Sequence, residues 1–494
     1  MSVRLITVLA ALSVIAAAAP AAAAPAPERP TPPADPYGLS PEAFDKAMTA
    51  YFNYGPPQPM PATVTDRAQG QAADAAYFEA FPDWDQAYSP AAHAEAKRLA
   101  ARFKAEAANL THEQFVLRVA EIAALADNGH TAIGGAAFAK NTPRVPLRAY
   151  WFADGLYVLR AAAGQSDLIG ARIDAIDGRP VEQVYQALRR YTGGADNFRR
   201  WRTTPLFESP AMLQAAGVAH ETHALTLKGV LADGRPFERR VEAEDRGPSA
   251  PISNTSRLLF PATPDDPTHM TSLLKAGPEL PASLQDSKHL FAMAPLDHGG
   301  LYIALGFNRD ADEGPIAPFL SSVLERVARE KPAYVVLDMR MNGGGDYTTT
   351  YWFAQALPQV SGKARLYLMT GAGTFSAAIT TSAALKQYGE GRVTVVGEPV
   401  GDRLAFWAEG NRYALPNTGI GIGYTTGKHD YHSPCTDLNI CYWLNWRFPV
   451  RVADLNPDLP APMTFAAYRQ GHDAGLDAIA AREAEVAAKA AVKP

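Results

Sequence analysis

Long apolar runs and basic clusters are both scarce in this sequence. Beyond the first 24 residues, no run of about eighteen apolar residues occurs, so we expect no membrane span in the mature chain. The formal net charge of -5 comes without a basic block, which argues against a nucleic-acid partner. With 494 residues, 47% of them hydrophobic, the chain is long enough for about three domains around a large core.

The first 24 residues have the pattern of a secretory signal peptide. One early arginine precedes the apolar run LITVLAALSVIAAAA, and a small-residue stretch, AAAA, closes the segment. We predict cleavage near residues 22–24 and a mature protein that is periplasmic or secreted. Residues 25–36 are rich in Pro and Ala, which is typical of a flexible leader.

Only two cysteines are present, Cys435 and Cys441, with five residues between them. In an oxidising compartment this pair predicts a local disulfide, and a redox or metal-binding role is the lesser alternative.

Two short β-rich runs organise the second half of the chain. Residues 334–337 (YVVL) and 366–369 (LYLM) each lead to a glycine cluster and then to a helix-forming run. This order is typical of parallel strands with crossover helices. A site built on such strands lies above their carboxyl ends.

The second of these units presents a serine at the start of a helix. Ser376 directly precedes AAITTSAALKQY, which Gly389 closes, so helix-dipole and backbone N–H groups should face its hydroxyl. A serine there is more often a simple helix-capping residue. The loop Asn342-Gly343-Gly344-Gly345 favours function, because glycines let a backbone approach a ligand and present N–H donors to an oxyanion.

Three segments in order, LDMRMNGGG, GTFSAA and VVGEP, resemble the core motifs of the tail-specific or C-terminal processing serine peptidases of family S41. The resemblance covers roughly residues 301–460. It implies an α/β fold with a crotonase-like (ClpP/crotonase) ββα catalytic core and makes Ser376 the nucleophile. The N–H groups of Gly344 and Ala377 would form the oxyanion hole, with Gly343 as a second glycine candidate.

A histidine follows a predicted helix in the segment Asp127-Asn128-Gly129-His130-Thr131. Alone, such a histidine is usually a solvated surface group. The segment NGHT resembles the DGHT-like motif of the S41 branch that is similar to tricorn peptidases, which implies that His130 is the general base. The other branch uses a lysine after its GEPT turn. Asp402 or Arg403 occupies that place here, and neither is a suitable base for a serine hydroxyl.

The acid that would orient the histidine is left unassigned. Asp127, Asp430 and Asp454 are candidates, but none lies in a motif match. His429, Asp430 and His432 suggest a metal site only weakly, since no further ligand cluster with zinc-like spacing follows. We predict no metal and no cofactor.

We divide the rest of the chain by its patterning. Residues 37–140 form a predicted N-terminal helical domain carrying His130, and residues 145–245 a PDZ-like β domain, for which a ligand-free packing domain is the alternative. We predict a linker or an extended excursion over the surface for residues 246–298. The S41 peptidase core is predicted at residues 299–465, and a surface C-terminal helix and tail at residues 466–494.

The predicted function is a serine endopeptidase that cleaves unfolded or extended polypeptides by a Ser-His mechanism. One alternative is a catalytically inert S41-fold protein that binds peptides or hydrophobic ligands. The other is a crotonase-like acyl-transfer enzyme on coenzyme A thioesters, which a secretory signal disfavours. The oligomeric state is left open.

Overall fold

The computed structural model describes residues 30–138, 142–244, 257–263, 266, 268–285, 288–312 and 314–491. The predicted signal peptide and residues 25–29 of the predicted leader lie outside these ranges.

The N-terminal region is helical, as its patterning predicts. Its helices are α1 (Pro41–Phe52), α2 (Arg67–Phe78), α3 (Phe81–Trp84), α4 (Pro90–Glu106) and α5 (His112–Ala124), followed by the short strand β1 (Ala132–Ile133). Thr111 caps α5 through a capping box with Gln114, in which each side chain accepts a hydrogen bond from the other residue's backbone N–H. The apolar face of α5 is buried, so the turn that carries His130 leaves a firmly packed helix.

The middle of the chain is an antiparallel sheet with short helices. It contains β2 (Leu147–Phe152), β3 (Gly155–Ala161), β4 (Arg172–Ile176), β5 (Arg179–Pro180), α6 (Val181–Leu188), α7 (Asp196–Thr203), α8 (Pro210–Ala215), β6 (Ala224–Val230), β7 (Pro236–Glu242) and β8 (Thr271–Ser272). The strand order is β2-β3-β4-β6-β7, with β5 on β4 and β8 on β3. The pairs Asp154-Gly155, Asp177-Gly178 and Asp233-Gly234, a dipeptide that favours turns between strands, each join consecutive strands of this sheet.

The second half begins a separate sheet. Its first elements are α9 (Ala282–Gln285), β9 (Phe291–Leu296), β10 (Gly300–Leu305), α10 (Ile316–Glu330), β11 (Tyr334–Asp338), α11 (Thr348–Val360), β12 (Arg365–Thr370), α12 (Ala377–Tyr388) and β13 (Val393–Gly397). The remaining elements are β14 (Ala405–Ala408), β15 (Asn411–Ala414), β16 (Gly421–Tyr424), β17 (Gly427–Asp430), α13 (Leu444–Arg447), β18 (Leu459–Pro460), α14 (Phe465–Tyr468) and α15 (Ala474–Ala491).

The central sheet has the order β18-β13-β12-β11-β10-β9 and is parallel except for β9. Strand β9 pairs along its whole length with β10, so the predicted linker at residues 246–298 ends earlier than expected. Because β11 and β12 pair in parallel, the glycine loop after β11 and the serine loop after β12 emerge side by side.

Helix α15 corrects the prediction of a surface C-terminal helix. Its residues Leu476 and Ile479 are buried in an apolar cluster against the face of the central sheet. Its Glu483 accepts hydrogen bonds from Arg365 Nε and the Tyr367 hydroxyl, both at 2.6 Å. The first turns of the helix therefore belong to the core.

A small sheet joins the N-terminal region to the C-terminal region. Strand β1 pairs with β16, and β16 with β15, which brings the strand after His130 against the C-terminal region.

The predicted disulfide between Cys435 and Cys441 is confirmed. Among the described helices, none combines the length and apolar character needed to cross a bilayer.

Candidate active site

Ser376 lies at the sharp turn between β12 and α12. The helix has the sequence AAITTSAALKQY, with Gly389 at its carboxyl end, as predicted. The serine backbone has φ 58° and ψ -128°, a conformation that non-glycine residues rarely adopt and that stores strain. Its side chain is half-buried, and α12 begins at the next residue. The turn therefore places the serine at the N-terminus of α12, and its side chain makes no capping hydrogen bond to the helix.

The glycine loop packs directly on this serine. A Cβ added to Gly344, whose φ is 107°, would lie 2.6 Å from Ser376 Cβ and 3.1 Å from Ala377 N. No side chain fits there. The Phe375 N–H also donates to the Asn342 carbonyl at 3.0 Å, which joins the two loops.

A buried pair of asparagines holds the glycine loop in place. Asn342 donates from Nδ2 to Asn308 Oδ1 at 2.7 Å, and its own Oδ1 accepts the Gly344 N–H at 2.9 Å. Asn308 in turn donates to Thr381 Oγ1 on α12 at 2.7 Å. The network couples the loop to the helix that begins after Ser376.

The three N–H groups expected to form the oxyanion hole differ in their hydrogen bonding. The Gly344 N–H donates to Asn342 Oδ1, and Gly344 is buried. Gly343 is exposed, and neither its N–H nor that of Ala377 donates a hydrogen bond to any described residue. Of the three groups, those of Gly343 and Ala377 therefore remain open to a ligand.

His130 lies in an aromatic stack beside the serine loop. Its ring stacks on Phe375 at 4.3 Å between centroids and on Phe406 at 5.2 Å. The stack extends to Phe198 on Phe375 and to His429 on the far face of Phe406. Phe375 directly precedes Ser376, so the ring of His130 stacks on the residue next to the predicted nucleophile.

The turn that carries His130 is fixed from several sides. Asn128 accepts the Trp407 N–H and donates to its carbonyl, while the Thr131 hydroxyl donates to buried Asp85 at 2.8 Å. Gly129 has no room for a side chain, since a Cβ there would lie 2.7 Å from the Phe375 ring. The imidazole orientation is thus determined by long-range packing.

An acid that the sequence did not identify faces this imidazole. Asp402 Oδ2 lies 3.9 Å from His130 Nδ1, and only 1% of the aspartate side chain and 11% of the histidine side chain are exposed. Burial raises the pKa of Asp402 to about 7, against the lowering effect of Arg403. Burial lowers the pKa of His130 to about 3, with smaller contributions from His429 and Arg412.

The serine and histidine are not hydrogen-bonded to each other. Neither imidazole nitrogen has a hydrogen-bond partner among the described residues, and Asp402 Oδ2 has none either. His130 instead lines a cavity of about 310 Å³ together with Gly343, Gly373 and Phe375. General-base contacts are often long without substrate and shorten in the reacting complex.

The three acids considered from the sequence lie elsewhere. Asp127 is exposed and binds Arg199 and Arg403. Asp454 pairs with Lys386 at 3.2 Å, and Asp430 lies 3.5 Å from Lys428. None of them contacts His130.

His429 belongs to a buried hydrogen-bond network. Its Nε2 lies 3.2 Å from Glu409, and its Nδ1 meets Tyr431 and Asn445. The described residues contain no group of three or more His, Cys, Asp or Glu side chains suited to hold a metal ion.

Comparison with known proteins supports the fold. No protein-family model matches the chain, and no curated protein matches its sequence. Mature CPAF matches its structure with a TM-score of 0.52 at 13% identity, over 83% of this chain and 96% of that chain. CPAF complexed with lactacystin matches with a TM-score of 0.51 at 12% identity, over 85% and 97%.

CPAF is an S41 protease. The chain is therefore a mixed α/β protein with the fold of an S41 serine protease, and the resemblance predicted from the three motifs is confirmed for the fold.

Proposed function

We propose that this chain is a secreted or periplasmic serine endopeptidase of the S41 family, of the histidine-base branch, acting on unfolded or extended polypeptides. The observation that carries the proposal is the strained Ser376 turn, pressed against a glycine loop and adjoined by the stacked ring of His130. The disulfide fits an oxidising compartment.

In this mechanism, Ser376 Oγ attacks the peptide carbonyl and its proton passes to His130, which later protonates the leaving amine. The N–H groups of Gly343 and Ala377 would stabilise the tetrahedral oxyanion. Asp402 faces Nδ1, which leaves Nε2 as the nitrogen for the serine proton. An ionised Asp402 would stabilise the imidazolium that forms.

Three adjoining cavities offer a path for an extended substrate. The cavity beside His130 shares Trp201, Gly343 and Gly373 with a second one of about 340 Å³. Trp201 also lines a third, of about 350 Å³, along residues 150–153 of β2. Since β2 is the outer strand in the order β2-β3-β4-β6-β7, this sheet supports the PDZ-like reading, in which a peptide adds as a further strand.

The finer fold assignment has topological support. In the central sheet, β10, β11 and β12 are each followed by a helix and then by the next parallel strand. We assign this core to the crotonase-like fold on that pattern.

One observation favours the inert alternative, a binding protein for peptides or hydrophobic ligands. His130 is flanked by two phenyl rings and has no hydrogen bond to Ser376. Such a histidine can serve as a packing residue alone, which is what a ligand-binding protein without catalytic activity requires.

Hydrolysis of casein, an unfolded protein, separates the two functions. The wild type should degrade casein, and Ser376→Ala should abolish degradation. Ser382→Ala is the matched control, because Ser382 lies on the same helix and is buried away from solvent. Equal degradation by wild type and Ser376→Ala would overturn the peptidase assignment, and a wild type without activity would favour the binding protein.

A further inference from the structure

The cavity that holds His130 also carries two arginines, Arg202 and Arg412. They come from different parts of the chain, Arg202 from α7 and Arg412 from β15. The ion pairs of the described residues include neither of them. By contrast, Arg199 and Arg403 bind Asp127, and Arg340 binds Asp338 and Asp473. Arg202 and Arg412 thus face the cavity without an acidic partner among the described residues.

Both arginines converge on the strand that follows His130. In the small sheet, Arg412 lies opposite Gly423, and Gly423 lies opposite Ala132. Arg202 Nη2 reaches the carbonyl of Ile133, the next residue of that strand, at 3.5 Å. Arg202 therefore reaches β1 directly, Arg412 lies one strand away from it, and both line the same cavity.

Their proximity is unfavourable without a counter-charge. Burial lowers the pKa of Arg202, and the charge of Arg412 lowers it further. Arg412 also lowers the pKa of His130. Like charges in a partly buried site repel one another, and an anion placed between them would offset that cost.

We propose that Arg202 and Arg412 bind a carboxylate of the polypeptide substrate within the cavity of His130. Guanidinium groups match carboxylates in geometry and form strong charge-assisted hydrogen bonds with them. The carboxylate is either the C-terminus of the substrate or an Asp or Glu side chain. The role in substrate selection depends on the proposed peptidase function, whereas the binding itself does not.

Binding to the Ser376→Ala protein tests the site without catalysis. The probes are fluorescein-labelled alanine-rich peptides of one length: one with a free C-terminal carboxylate, one amidated, and one amidated with a single internal Glu. Fluorescence anisotropy gives their dissociation constants. We expect at least one carboxylate peptide to bind about tenfold more tightly than the plain amide, the gain expected of a charge-assisted pair.

Variants assign that gain to the two arginines. Arg412→Gln should remove it without disturbing the fold, because Arg412 is exposed. Arg202→Lys keeps the charge of the more buried residue and should reduce the gain by losing the forked geometry. Arg469→Gln is the control, since Arg469 is exposed and does not line the cavity, and its gain should equal that of the parent protein.

The outcomes are distinct. A gain for the free C-terminus identifies the substrate end, and a gain only for the Glu peptide identifies an acidic side chain. Equal binding of all three peptides, or a gain that survives in Arg412→Gln, overturns the proposal. Carboxylate binding in a protein that never degrades casein would support the site and reject the peptidase, so the two failures can be told apart.

Discussion

Asp402 Oδ2 lies 3.9 Å from His130 Nδ1 in an almost fully buried pair. The two groups share one low-dielectric environment, which disfavours charge on both: the pKa of the acid is raised and that of the base is lowered. Burial therefore favours the neutral form of each group.

The pair predicts a pH profile. Catalysis needs a neutral His130 beside an ionised Asp402, and burial raises the pKa of Asp402 to about 7. The kcat/KM for casein-derived peptides should therefore rise as the pH passes through about 7. Asp402→Asn should lower kcat/KM and remove this limb, which a pH series on both proteins would show. An unchanged limb in the variant would assign the titration to another group.

Loss of His130 should lower the rate strongly. General-base catalysis contributes roughly 10²- to 10⁴-fold, so His130→Ala should lose activity by about that factor. His432→Ala is the control, because His432 is exposed and lies outside the cavity. Initial rates on casein measure both. Full activity in His130→Ala would exclude His130 as the base.

Gly344 should be intolerant of a side chain for two separate reasons. Its φ of 107° strains any other residue, and its Cβ would lie 2.6 Å from Ser376 Cβ. Gly344→Ala should therefore lower the free energy of unfolding by at least about 1–3 kcal/mol.

Gly343→Ala is the matched stability control, because its Cβ would meet only Phe307, at 3.9 Å. Denaturant unfolding compares the two variants. Equal midpoints would show that the loop does not press on the serine turn.

Asp85 should make stability depend on pH. Burial raises its pKa from 3.8 to about 6, so the folded chain holds the proton more tightly than the unfolded chain. This contribution is fully present below the ordinary carboxyl pKa and is lost as the pH rises through about 6.

Asp85→Asn should remove that dependence. The substitution should also lower the free energy of unfolding by about 1–3 kcal/mol, because an amide accepts fewer of the hydrogen bonds from Ala87, Thr131 and Thr425. Denaturant unfolding of both proteins, from about pH 4 to about pH 8, measures the difference in their free energies of unfolding across the pKa values of Asp85. If the difference in free energy of unfolding between the two proteins stayed constant over this pH range, Asp85 would not be the source of the pH dependence.

Local sequence signals predicted the elements that carry the chemistry. The boundaries of α12, the three Asp-Gly turns and the disulfide all follow from residues that are close in sequence. Parallel strands ending in glycine clusters placed Ser376 beside the glycine loop, because adjacent parallel strands present their carboxyl ends together.

The partners of these residues could not be predicted in the same way. From the sequence, Asp402 is considered only together with Arg403 as a replacement for a lysine base, and only packing in three dimensions brings its carboxylate to His130. Phe406 contacts His130, and Asn308 contacts Thr381. Each pair is separated by more than sixty positions in the sequence, so no local pattern predicts either contact. The burial of α15 likewise depends on a sheet assembled from distant strands.

Covalent labelling with a fluorophosphonate probe tests whether Ser376 is a nucleophile. Peptide mass spectrometry locates the adduct. We predict a single adduct on Ser376 in the wild type, absent from Ser376→Ala and retained in Ser382→Ala. A wild type that takes up no probe, or an adduct on another serine, would contradict it.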